Sequence, residues 1–156
     1  MISKIKSFFS GRSSLLENKL PIKKLSSEAR LPTRNNPTDA GLDLYAAEDK
    51  EIKDQSGEMI KTDISIALPP NTVGMICDRS GMGKKGFKVH GGIVDVPYRG
   101  SVNVILWNHS GQTQTIKKGE RIGQLLVIPI LFPEVQEVDS LDETSRGDKG
   151  FGSSGN

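Results

Sequence analysis

Between residues 60 and 68 the chain alternates without a break. Ile60, Thr62, Ile64, Ile66 and Leu68 take one parity, and Lys61, Asp63, Ser65 and Ala67 take the other. Successive side chains point to opposite faces only in a strand, so this segment buries one face and wets the other as β-structure. Pro69-Pro70-Asn71 ends it in a turn, and residues 73–77 read as the return strand. Val102, Val104 and Leu106 form a second alternating face, followed by turn signals at Ser110-Gly111 and Lys117-Lys118-Gly119-Glu120. Residues 121–130 form a longer apolar strand in which Pro129 marks an edge or a bend. Val135 and Val138 suggest a last, weaker strand. Nothing carries a helical period beyond a turn or two, and no internal repeat is present. The 17 Gly and 8 Pro suit many short segments joined by turns. The expected class is all-β: a sandwich, jelly roll or barrel.

At 156 residues the chain has room for one domain and one core, small enough that a second copy helps to bury surface. One Cys excludes an internal disulfide, and two His with one Cys exclude a four-ligand zinc cage. The longest greasy stretch, residues 125–132, is too short to span a bilayer. The net charge of +2 divides unevenly: residues 1–30 carry +5 and residues 31–156 carry −3. A mildly acidic body lacks the footprint of a nucleic-acid-binding domain. Residues 1–19 hold five Ser, four basic residues and one acid, the composition of a flexible extension or a transit segment. Residues 20–145 form the β domain. Residues 146–156, RGDKGFGSSGN, hold four Gly and one apolar residue and cannot build a core. Their Arg146, Phe151, Ser153 and Ser154 supply a phosphate fork, a stacking surface and hydroxyls on a pliable backbone.

Three internal segments carry chemistry. Asp78-Arg79-Ser80-Gly81-Met82-Gly83-Lys84-Lys85-Gly86 follows a strand and offers glycine-freed backbone N–H groups with Arg, Ser and Lys donors, although it is no Walker loop. Alone it reads equally as a basic turn. Gly91-Gly92-Ile93-Val94-Asp95-Val96-Pro97-Tyr98-Arg99-Gly100 sets an acid among apolar neighbours. A partly desolvated Asp95 is a functional candidate, and a self-bonded turn Asp is the plainer alternative. Asp43 sits half-buried at the beginning of a strand in Ala40-Gly41-Leu42-Asp43-Leu44-Tyr45, and Arg121 and Gln124 lie near the start of the longest strand.

Taken together and in order, five segments resemble the motifs of the homotrimeric dUTP pyrophosphatase (dUTPase) family. They are Ala40-Gly41-Leu42-Asp43-Leu44; Arg79-Ser80-Gly81; Gly92-Ile93-Val94-Asp95 with Tyr98-Arg99-Gly100; Gly119-Glu120-Arg121 with Gln124; and Arg146-Gly147 with Gly150-Phe151-Gly152-Ser153-Ser154-Gly155. The resemblance covers residues 20–155 and implies a distorted jelly roll of the β-clip type, assembled as a homotrimer with swapped C-terminal arms. Each site would draw its phosphate loop, its Asp95 hairpin and its arm from three different chains.

The implied reaction is hydrolysis of dUTP to dUMP and pyrophosphate with Mg²⁺, which limits uracil in DNA and supplies dUMP for thymidylate synthesis. By similarity Asp95 is the general base that turns a water onto the α-phosphorus. Arg79, Ser80, Gly81 and Gln124 would grip the phosphates, and Arg146, Gly152, Ser153 and Ser154 would close over the γ-phosphate. Phe151 would stack on uracil, Tyr98 would exclude a 2′-hydroxyl, and backbone groups around Gly92 would read the base. Asp43 would meet Mg²⁺ through a water or act structurally. Arg121 reads as a strand-end ion pair. The expected partners are dUTP and two further copies, with neither nucleic acid nor membrane. The expected place is the cytoplasm or nucleus, or the mitochondrion if residues 1–19 are a transit segment.

Four positions depart from the family pattern. Asp78 stands where Pro is usual, Pro97 where a second Asp is frequent, and Lys149 where Gly is common. The stretch from Ser80 to Asp95 is also shorter than in many members. The sister activity on this fold, dCTP deamination, needs a Glu ten residues past the hairpin Asp, where this chain has Ile105. A non-catalytic binding protein would not need Asp95, Tyr98, Arg146 and Phe151 together, and a purely structural jelly roll would not need the RGDKGFGSSG tail.

Overall fold

The alternating segment lies within an eleven-residue strand. In the computed structural model, which describes residues 19–145 together with 147 and 148, the elements run in the order β1 (Ile22–Lys24), β2 (Leu42–Tyr45), β3 (Lys50–Ile52), β4 (Ser56–Ile66), β5 (Thr72–Cys77), α1 (Ser80–Lys84), β6 (Phe87–His90), β7 (Ile93–Val94), β8 (Val102–Asn108), β9 (Gln114–Ile116) and β10 (Arg121–Pro129). The expected extension 1–19, apart from Lys19, and the expected arm 146–156, apart from Gly147 and Asp148, lie outside the described residues.

Two four-stranded antiparallel sheets enclose the core. One has the order β1-β4-β8-β6, the other β2-β10-β5-β7, and β3-β9 forms a separate ribbon. The expected inward set becomes the floor of the first sheet: Ile60, Thr62, Ile64 and Ile66 from β4, with Val102, Val104 and Leu106 from β8, are all buried. Leu44, Ile76, Ile122 and Leu125 come from the second sheet, and Ile52 and Ile116 from the ribbon. Each such aliphatic side chain contributes about 1.5–3 kcal/mol by leaving water. Asn108 is a fully buried polar member; its Nδ2 donates to the carbonyls of Ile52 (3.0 Å) and Gln112 (2.8 Å), which pins the first sheet to the ribbon.

A bulge interrupts β4 where the sequence shows only smooth alternation. Lys61 pairs with Asn103 and Ile64 with Val102, so β4 carries two extra residues against one step of β8. Two is the side-chain period, so the insertion bends the strand without exchanging its faces. Asp63 takes a φ of +52° there, and its carboxylate accepts a hydrogen bond from Ser26 Oγ at 2.6 Å.

Two expectations change, and the reading of Pro129 as an edge residue holds. Residues 73–77 are a strand but not a return strand against β4, because the Pro69-Pro70-Asn71 turn carries the chain across to the second sheet. Pro129 closes β10, which pairs with β2 only from Arg121 to Leu125; beyond that point one side of β10 is open, and a residue without an N–H is tolerated. Val135 and Val138 form no strand. They are exposed, as are Leu131, Phe132 and Leu141, because a strand needs a partner and this segment has none among the described residues.

Candidate active site

The pairing of β10 with both neighbours assembles the first half of the site. Gln124 stands opposite Asp43 of β2 on one side and opposite Cys77 of β5 on the other. Asp43, Gln124 and the exit of β5 are thereby drawn into one row across the sheet. Directly after β5 come Asp78 and then Arg79, the extended residue that precedes α1, the only helix among the described residues. The segment expected as a glycine-rich turn is thus a strand exit feeding a five-residue helix, with Ser80 and Gly81 exposed at its start.

Asp43 is the electrostatic centre of this cleft. Its Oδ1 accepts from Arg79 Nε at 2.6 Å and its Oδ2 from Arg121 Nη1 at 3.1 Å, with the carboxylate side chain only 13% exposed. One carboxylate against two guanidinium groups orients both arginines, and with Asp39 also in the wall the formal charges of the lining balance. The ion-pair reading of Arg121 is borne out. Asn35, Asp39, Ala40, Gly41 and Ser80 complete the walls of a cleft of about 500 Å³. Gln124 is itself fixed: its Nε2 donates to the Asp78 carbonyl at 2.7 Å, and its Oε1 lies where a side chain at residue 41 would begin, 2.1 Å from an ideal Cβ. A side chain at residue 41 would displace the Gln124 amide from that position.

The Asp78 departure acquires an orientation. Its carboxylate reaches β6, accepting the Val89 N–H at 2.6 Å and pairing with Lys88 Nζ. Burial pushes its pKa upward, but the Lys88 and Val89 hydrogen bonds outweigh that and hold it below the ordinary 3.8. The carboxylate is neutralised on the β6 side of the loop.

The second half of the site is built by the turn between β6 and β7. Gly92 passes so close to β5 that an added Cβ would lie 2.2 Å from the Ile76 carbonyl oxygen, while its own carbonyl accepts the Ile76 N–H at 2.6 Å. β7 then pairs with β5 and delivers Asp95 into a tight turn, in which the Tyr98 N–H donates to the Asp95 carbonyl at 3.1 Å. Tyr98 folds over Gly100, its hydroxyl donating to the Ser101 carbonyl at 2.9 Å, and Arg99 Nη1 donates to the Val96 carbonyl at 2.6 Å. Where a second Asp is frequent in the resemblance, Pro97 now lies inside a turn tied by Arg99. Asp95 and Tyr98, with Met59, Ile93 and Asn103, line a hollow of about 210 Å³. The expectation of a partly desolvated Asp95 is corrected: the residue is exposed, because within one chain its turn projects from the sheet rather than folding back on it.

The two hollows share no lining residue. Arg79, Ser80, Gln124 and Asp43 gather at one; Asp95, Tyr98 and the Gly91-Gly92 turn gather at the other. Arg146, Phe151, Gly152, Ser153 and Ser154 lie outside the described residues. Sequence reading missed Asn35 and Asp39 of the cleft wall and the Asp78–Val89 contact. The first two lie in a polar loop with no periodic signal, and the third joins elements of different sheets. Among the described residues no cluster of three or more His, Cys, Asp or Glu is built to hold a metal ion.

A β-clip of two sheets with an arginine-bearing cleft and a separate acid-bearing turn defines a class of nucleotide-binding β proteins. The family model for dUTPase matches residues 27–155, and the chain belongs to the dUTPase family. A deoxyuridine 5′-triphosphate nucleotidohydrolase of Arabidopsis thaliana is 48% identical over 135 residues, 86% of this chain and 81% of that protein. The monkeypox virus protein of the same name is 47% identical over 132 residues, 85% and 87% of the two chains. Among solved structures, a dUTPase of Staphylococcus bacteriophage 80alpha with dUpNHpp superposes with a TM-score of 0.84 at 33% identity, covering 89% of this chain and 99% of that one. A dUTPase of phage phi11 of S. aureus, described as revealing the coordination of a structural Mg(II) ion, gives a TM-score of 0.73 at 29% identity over 79% and 98% of the two chains.

Proposed function

We propose that the chain hydrolyses dUTP to dUMP and pyrophosphate, with sites completed between three copies. The observation that carries this reading is the separation of the two hollows. Phosphate-binding groups and the acid with its aromatic neighbour occupy separate hollows of one chain, which suits a site closed by a neighbouring copy. A neighbour's Asp95 turn would then face this chain's Arg79 cleft, and that contact would also bring the exposed carboxylate into a drier setting.

In that arrangement the Asp43 carboxylate holds Arg79 and Arg121 toward the triphosphate, and Ser80 and Gln124 add neutral donors. Asp95 takes a proton from a water as its oxygen attacks the α-phosphorus in line, breaking the bond to the departing pyrophosphate. Tyr98, locked over Gly100, leaves no room for a 2′-hydroxyl. The arm 146–156 closes over the site, bringing Arg146, Gly152, Ser153 and Ser154 to the γ-phosphate and Phe151 to the base; ordering it excludes water.

The donor set suits a Mg²⁺ carried by the substrate's own phosphates better than one held by a protein cage. Both Asp43 oxygens already face guanidinium groups, so Asp43 would reach the ion through a water. When bound, the ion supplies charge neutralisation on the phosphate chain. The place of action is read as cytoplasmic or nuclear, or mitochondrial if residues 1–19 direct import.

The test is pyrophosphate release from dUTP, dTTP, dCTP and UTP, with and without Mg²⁺. The expected result is a preference for dUTP by orders of magnitude in kcat/KM. Equal rates on dTTP or UTP would remove the base and sugar assignments, and ammonia release from dCTP would move the chain to the deaminase branch.

A further inference from the structure

We propose that Asp78 is a positioning residue for phosphate binding, holding Arg79 and Gln124 through an anchor on the edge strand of the opposite sheet. The inference rests on the reading of the Arg79 cleft as the triphosphate site. β5 belongs to the second sheet and β6 is the terminal strand of the first. β6 pairs on one side with β8, so its other side presents backbone groups without a strand partner among the described residues. Asp78, the first residue past β5, places Oδ1 2.6 Å from the Val89 N–H on that open side, and Lys88 Nζ pairs with Oδ2. Its main-chain carbonyl meanwhile accepts Gln124 Nε2 at 2.7 Å. Three strands from two sheets therefore converge on one residue, and the peptide they fix is the one that leads directly into Arg79.

The arrangement has a sign that separates it from a simpler account. If Asp78 were only a negative charge near a polyanion site, removing it would tighten binding. If it positions the loop, removing the acceptor frees the Asp78–Arg79 peptide, loosens Gln124, and weakens binding. A hydrogen bond to a charged acceptor is among the stronger ones, so losing it is expected to raise KM for dUTP by about tenfold or more. Asparagine at the same position keeps an oxygen for the Val89 N–H while discarding the charge, so it isolates geometry from electrostatics.

Steady-state hydrolysis of dUTP by the full-length wild type, Asp78→Ala and Asp78→Asn proteins tests this. Wild-type inactivity on dUTP would remove the functional reading itself, not the positioning role. With an active wild type, the Ala variant is expected to show KM raised about tenfold with kcat within about threefold, and the Asn variant to stay within about threefold of wild type in both. A lowered KM in either variant, an unchanged KM in the Ala variant, or a loss confined to kcat overturns the proposal. If the Ala variant does not fold, the wild-type Val89 amide decides. Slow hydrogen exchange there, with wild-type KM in the Asn variant, sustains the anchor; rapid exchange, or an Asn KM displaced by more than about threefold, overturns it.

Discussion

Asp95 stands exposed in a turn whose backbone hydrogen bonds do not involve its carboxylate, so fold and chemistry separate cleanly at this residue. Asp95→Asn is expected to lower kcat for dUTP by about 10²–10⁴-fold while moving stability by less than about 0.5 kcal/mol. A variant with wild-type turnover in a pyrophosphate-release assay would end the general-base assignment. Gly92 shows the opposite separation. A methyl group there would press on the Ile76 carbonyl, a backbone atom that cannot swing aside. Gly92→Ala is therefore expected to cost about 1–3 kcal/mol in urea unfolding, because the β6–β7 turn must lift away from β5. Asn108 belongs with the structural residues too. Its side chain is fully buried, and Asn108→Ala is expected to destabilise by about 1–3 kcal/mol by leaving the Ile52 and Gln112 carbonyls without that donor.

At the level of elements, the Lys117–Glu120 turn sets the entry of β10 and so the row that contains Gln124. Glu120 accepts from Lys85 Nζ at 2.5 Å and from the Lys117 N–H at 3.2 Å. Burial raises its pKa, and those two hydrogen bonds more than reverse the effect, leaving it below the ordinary 4.5. The folded state therefore binds fewer protons than the unfolded state just below that value. The stabilisation from Glu120 is complete above about 4.5 and is lost as pH falls through the lowered value. Glu120→Gln should accordingly lose part of the acid-side decline in Tm that the wild type shows below that pH. Identical Tm-against-pH curves would show that the contact does not differ between the folded and unfolded states. The β4 bulge belongs to this scale as well: Thr62, buried beside it, donates to the Val102 carbonyl and seals the kink.

For the whole molecule, the exposed apolar run through Leu131, Phe132, Val135 and Leu141 and the projecting Asp95 turn both suit burial against further copies. Sedimentation at equilibrium is expected to return three times the 17.0 kDa chain mass. A monomer at micromolar concentration would contradict the shared-site proposal. Deleting residues 146–156 is expected to abolish turnover while leaving that mass of assembly unchanged. A truncated protein at full rate would show that the arm is not a lid.

The strands at 60–66 and 102–108, the turns at their ends and the residue types of the five motifs were legible locally. Alternation and turn chemistry act within a few residues, so they are legible one segment at a time. The tertiary structure decided everything that depends on which segments meet. It put β5 in the opposite sheet from β4, placed two extra residues in β4, left residues 131–139 without a strand, and turned Asp78 away from the cleft onto β6. It also placed Asp43 between two arginines that lie 36 and 78 residues along the chain from it. Pairing partners and hydrogen-bond acceptors at such separations are selected by the closure of the whole core, and no window of sequence contains that information.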